Sequence, residues 1–78
     1  MENDLRTMVE RIKIKAEGFS KNNIKAFIED IKNNYYFCNI ISIDDISVYI
    51  ENFSGIREGE KERLFFVDII KFEEYKER

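Results

Sequence analysis

Three groups of side chains in this 78-residue chain have the types that chemistry uses. Asp44-Asp45, with Glu51 or Asp68, would offer oxygen ligands to a hard divalent cation. Adjacent acids on a strand point to opposite faces, however, and at a turn or helix start they are routine. Asp68 with Glu74-Tyr75-Lys76 has two carboxylates to hold an ion and a lysine to sit beside an attacking water. That set is compressed, and its second half falls in the charged tail. Cys38 is the lone thiol. Without a histidine anywhere in the chain, its activation would need a lysine, an arginine or a helix terminus. Set among aromatic residues, it reads as a small buried apolar group. Gly55-Ile-Arg-Glu-Gly59 lacks the lysine and hydroxyl that complete a phosphate-binding loop. No catalytic residue, cofactor site or metal site is expected.

The elements that would carry these groups follow from periodicity. Residues 3–16 read as an amphipathic helix with Leu5, Met8, Val9, Ile12 and Ala16 on one stripe, Asn3 or Asp4 as its cap and Gly18 as its stop. Ile14 points away from that stripe. A second helix is expected from Lys21 to Asn33, with Ile24, Phe27, Ile28 and Ile31 on one face. The short link between them predicts an antiparallel hairpin. Tyr35–Ser42 is aromatic and β-branched, which predicts a strand. Ile43–Phe53 fits two templates. A Ser42-x-x-Asp45 capping box and a stripe of Ile43, Ile46, Tyr49, Ile50 and Phe53 argue for helix. Alternation of Ile46, Val48 and Ile50 with Ser47, Tyr49 and Glu51 argues for strand, the reading favoured here. Ser54–Glu62 is a polar loop.

Arg63–Phe72 is apolar on both alternating faces. As one strand it places Leu64, Phe66, Ile70 and Phe72 on one side and Phe65, Val67 and Ile69 on the other, so it needs cover above and below. The expected fold is therefore α+β, a single domain over 1–78 in which an N-terminal helical hairpin packs on one face of a small three-stranded antiparallel sheet. Three helices with a short sheet or hairpin is the alternative. Residues 73–78 form a charged tail, with a Glu74–Arg78 ion pair if that turn is helical.

Two helices cannot cover both faces of such a sheet, so an apolar patch is expected on the far side, with Phe65, Val67, Ile69, Tyr49 and Phe53 as its members. Residues 1–33 carry seven basic and six acidic side chains, and residues 34–78 six basic and ten acidic. A phosphate-binding surface wants the opposite sign. The sequence points to a small non-enzymatic protein-binding factor: an inhibitor, an antitoxin-like or anti-defence protein, or an adaptor from a mobile element. Its expected partner is a protein, one that handles nucleic acid being the leading candidate, because the acidic half can imitate phosphate in a basic groove. Asp44, Asp45, Glu58, Glu60 and Glu62 would supply that charge, with Arg57 beside them and Tyr49 as an aromatic anchor. A second copy stacked sheet on sheet is the other way to cover the patch. The alternative function is a nucleic-acid-binding regulator using the hairpin's Arg6, Arg11, Lys13, Lys15, Lys21, Lys25 and Lys32. Glu10, Glu17, Glu29 and Asp30 interrupt that set, so direct nucleic-acid contact is not expected. A single cysteine and a charged beginning with no apolar run predict a cytoplasmic protein without a membrane partner.

Overall fold

The computed structural model describes residues 4–76. The chain runs α1 (Asp4–Lys21), β1 (Ala26–Asp30), β2 (Tyr35–Ile43), β3 (Ser47–Ser54), β4 (Lys61–Phe65), a 3-10 turn (Phe66–Asp68) and β5 (Ile69–Glu74). The strands form one antiparallel sheet in the order β4-β3-β2-β1-β5. The expected helical hairpin on three strands is overturned, as is the three-helix alternative. One helix and five strands replace them among the described residues.

The first helix forms where the stripe places it and lays Val9, Ile12, Ala16 and Phe19 on the core. Met8, assigned to the same stripe, is half-exposed instead, and Ile14 faces solvent as its spacing requires. Asn3 and the side chain of Leu5 lie outside the described residues. Gly18 does not stop the helix, because glycine only weakens a helix interior and does not end it. The stop comes at Asn23, which adopts φ 55°. Ile24 N–H then donates to Phe19 O at 2.9 Å and Asn23 N–H to Ser20 O at 3.4 Å, satisfying carbonyls the helix leaves open.

The expected second helix is β1 and a turn. Ile24, Phe27, Ile28 and Ile31 do fit helical spacing, but Ala26, Ile28 and Asp30 are buried while Phe27 and Glu29 are not, which is the two-residue period of a strand. Asp30 closes the β1–β2 connection. Its carboxylate accepts hydrogen bonds from the main-chain N–H of Lys32 (2.9 Å) and Asn34 (3.0 Å), while Asn33 takes φ 65°. β2 forms as expected, and the strand reading of Ile43–Phe53 is the correct one, although the strand starts only at Ser47. Of the supposed capping residues, Ser42 belongs to β2 and Asp45 to a hairpin turn, in which Asp44 accepts from Ile46 N–H, Ser47 N–H and the Ser47 hydroxyl.

Arg63–Phe72 is not one strand. The chain leaves β4, turns through Phe66–Asp68 and enters β5 at the opposite edge of the sheet. Four inter-strand steps in a flat sheet measure about 19 Å, whereas three residues of 3-10 helix advance only about 6 Å. The sheet must therefore curl until its edges approach, giving an open barrel with its seam between β4 and β5. Phe66 N–H donating to Ile46 O and Ile31 N–H donating to Asp68 O fasten the two ends of this crossing. The direction change also resets the alternation: Leu64, Phe66, Ile69 and Phe72 are buried, and Phe65, Val67 and Ile70 are exposed. Asp68 lies in the turn rather than inside an apolar strand. Glu73 and Glu74, read as tail, belong to β5, and Arg78, the proposed partner of Glu74, lies outside the described residues.

The interior of the barrel holds Ala26, Ile28, Tyr36, Cys38, Val48, Ile50, Leu64, Phe66, Ile69 and Phe72, and Ala16 and Phe19 of α1 close over it. Phe19 meets Phe72 with ring centroids 5.2 Å apart. The other face of the sheet has no helix on it.

Candidate binding surface

The residues of opposite parity on β1 and β2 point away from this core, and three of them, Phe27, Tyr35 and Phe37, are aromatic. Phe27 on β1 sits beside Phe37 and Tyr35 on β2, at centroid distances of 5.4 and 5.8 Å. Tyr75, just beyond β5, lies edge-on to Phe37 at 5.7 Å and to Phe53 of β3 at 5.1 Å. The shift in β2–β3 pairing between Phe37 and Cys38 frees Phe53 from strict register, which brings it into the cluster. Lys25 Nζ stands 4.7 Å from the centre of the Phe53 ring, a cation–π contact. Five rings thus form a continuous strip across β3, β2, β1 and the end of β5. Tyr35 is 53% exposed and the other four are half-buried. Glu29 and Glu73 border the strip, paired across the strands with Tyr35 and Phe27.

A second outward group lies nearer the β2–β3 turn. Arg63 of β4 spreads its guanidinium over Phe65 (4.7 Å) and Tyr49 (5.4 Å), donates from Nε to the Ser47 hydroxyl at 2.8 Å, and pairs with Asp44 at 3.2 Å. The hydrogen bonds from Ile46 and Ser47, with Arg63 nearby, hold the Asp44 carboxyl below the usual carboxylate range.

The residues expected to contact a partner do not form one surface. Asp44 and Asp45 sit at one end of β3; Arg57, Glu58 and Glu60 sit in the loop at its other end, about 25 Å away along an eight-residue strand. Asp44 is committed to its turn. Asp45 is almost fully exposed and pairs with Lys13 of α1 at 3.1 Å. Glu62 accepts from Asn52 Nδ2 at 2.7 Å and from Arg57 at 3.1 Å, and Arg57 also donates to Asn34 and lies over the Tyr36 ring. Glu58 and Glu60 project into solvent. Tyr49 is exposed but lies beneath Arg63. The acidic residues therefore divide between internal bonding and two separate loops.

Cys38 is fully buried, and burial pushes its thiol up to about 12, so it is not a thiolate in the native protein. Among the described residues no three acidic or thiol groups gather with metal-binding geometry. Of the far-face residues expected from sequence, Phe65 and Val67 are exposed and Ile69 is buried. Sequence reasoning missed the strip itself, because Phe27 was assigned to a helix and Tyr75 to a tail. The signal was present in Phe27/Glu29 and Tyr35/Phe37, each two apart.

Comparison with family models, curated proteins and solved structures finds no match to this chain. No helix among the described residues is long and apolar enough to cross a membrane.

Proposed function

We propose that this is a small non-enzymatic binding factor of the cytoplasm, acting by surface contact on a protein partner through the aromatic strip of its helix-free face. The observation that supports this reading is the strip itself. Tyr35, Phe27, Phe37, Tyr75 and Phe53 make a connected aromatic surface that the described chain leaves uncovered. Contiguous exposed apolar surface marks interaction sites, and aromatic side chains dominate their energetics. The rim mixes Glu29 and Glu73 with Lys25 and Lys71, which suits a protein better than a phosphate backbone, whose binding surface is mainly basic. Inhibitors and adaptors are the classes that work this way. The acid-mimic version is weaker, since the acids sit at opposite ends of β3 and two of them are bound internally.

The test is capture of a partner from the native cell extract by immobilised protein, repeated with Tyr35→Ser/Tyr75→Ser. Aromatic hot spots cost about 2 kcal/mol or more, so affinity should fall by roughly 30-fold. Equal capture by the variant, with its circular dichroism unchanged, overturns the reading. Concentration-dependent sedimentation above 9.4 kDa, abolished by the same variant, assigns the face to a second copy instead.

A further inference from the structure

We infer that the partner docks by adding an extended strand to the free edge of β5, an apolar segment with a carboxylate facing α1. This rests on the protein-binding reading above and specifies its mode. β5 pairs only with β1. Tyr75 N–H donates to Lys25 O at 2.9 Å, and this sets the phase of the ladder. Tyr75 and Glu73 turn their main-chain groups toward β1, so Phe72 and Glu74 present theirs to the outside. Unpaired edge groups of this kind recruit another strand, with main-chain hydrogen bonds giving affinity and flanking pockets giving selectivity.

The other edge, β4, is short and charged, reading Lys61-Glu62-Arg63, and Arg63 is folded back over Phe65. That is how proteins blunt an edge. β5 has instead two hollows beside it. Met8, Arg11 and Ile12 of α1 face Ile70 and Phe72 across one of about 190 Å³. Lys15 and Phe19 line a larger groove of about 680 Å³ at the C-terminal end, together with Phe27, Phe37 and Tyr75 of the aromatic face. Met8, Ile12, Lys15 and Phe19 are spaced three or four apart, with Arg11 four before Lys15, so α1 runs alongside the edge. A strand added here sends alternate side chains beside Lys71 and Glu73 on the outer face, meeting the aromatic strip at Tyr75, and into the trough beside α1. Neither Arg11 nor Lys15 has a carboxylate within ion-pair distance among the described residues. Glu73 and Glu74 occupy the far end, so the incoming carboxylate belongs next to Arg11.

The probe is a phage-displayed library of random 12-residue peptides, panned on the folded protein. Enriched peptides should alternate apolar residues and carry an acid. Glu74→Pro removes the outward N–H and nothing the β1 ladder uses, so it should weaken peptide binding at least tenfold, while Glu74→Ala retains it. Hydrogen exchange on the unsubstituted protein gives an independent measurement should the proline variant not fold. Peptide should protect the amides of Phe72 and Glu74 and leave the already bonded Tyr75 unchanged. No enrichment over bare support, equal binding by both Glu74 variants, or no added protection at Phe72 and Glu74 each overturns the inference. Loss of binding in Tyr35→Ser/Tyr75→Ser but not in Glu74→Pro leaves the aromatic face standing and removes the strand addition. Self-association of the unsubstituted chain that Glu74→Pro abolishes makes the added strand a second copy's, which also overturns it.

Discussion

The Tyr36 hydroxyl donates to Asp30 Oδ2 at 3.0 Å, joining two buried side chains where β1 turns into β2. Burial alone would raise the Asp30 carboxyl, but hydrogen bonds from Asn34, Tyr36 and Lys32 outweigh it and hold the group below its ordinary value. The same burial, with the Asp30 carboxylate next in effect, pushes the Tyr36 phenol up to about 12. Asp30 thus organises the turn and anchors a core tyrosine at once.

Removing this acceptor strands several donors. Asp30→Ala should lower stability by about 3 kcal/mol and Tyr36→Phe by about 1 kcal/mol in urea unfolding. Because the two share one hydrogen bond, the double variant should lose less than the sum. Strict additivity would show that the contact carries no coupling.

Acid should unfold the protein in a defined window. Asp30 and Asp44 both lie below the usual carboxylate range in the folded state. Depressed groups contribute stability that is complete above the unfolded-chain value of about 3.9 and is lost as pH falls through the folded value. The urea midpoint should hold steady from about pH 7 to about pH 5 and then drop. Asp30→Asn should flatten that drop, and a limb of undiminished steepness would exclude Asp30 as its source.

Two glycines should respond oppositely to alanine. Gly18 lies inside α1 with open space where a Cβ would go, so Gly18→Ala should stabilise by about 0.5–1 kcal/mol. Gly59 also has open space but adopts φ +86°, so Gly59→Ala should destabilise by about 1 kcal/mol through backbone strain alone. Thermal melts of the two variants should shift in opposite directions.

The Cys38 thiol should resist labelling by an aromatic disulfide reagent in the native protein and react at once in denaturant. Its fully buried position in β2 makes opening of the sheet the limiting event. Fast stoichiometric labelling at neutral pH would contradict that placement.

The parts of the fold legible in the sequence are those where one periodicity has no rival. Val9, Ile12 and Ala16 fit only a helix, and Tyr35–Ser42 only a strand. Ile24–Ile31 satisfied both templates, because its apolar residues at 24, 27, 28 and 31 match a helix while Phe27 serves the outer face and Ile28 the inner one. What decides for strand is Asp30, whose carboxylate ties the next four residues into a turn. The Arg63–Phe72 run looked two-faced because it crosses from one edge of the sheet to the other at Phe66–Asp68. That crossing depends on long-range pairing, which local pattern does not encode. The aromatic strip inherited both errors, since its rings come from four separate stretches of chain.

The position of β1 has a consequence for how the protein is made. Its first neighbour, β2, follows directly, but its second, β5, begins only at Ile69, after β2, β3 and β4 have been made. While the chain is emerging from the ribosome, the β1–β2 hairpin carries an unsatisfied flank that waits for β5. Contacts this distant in sequence slow folding, and unpaired flanks invite aggregation. A ribosome stalled before residue 69 should therefore hold a protease-sensitive nascent chain, and emergence of β5 should convert it in one step to the resistant form.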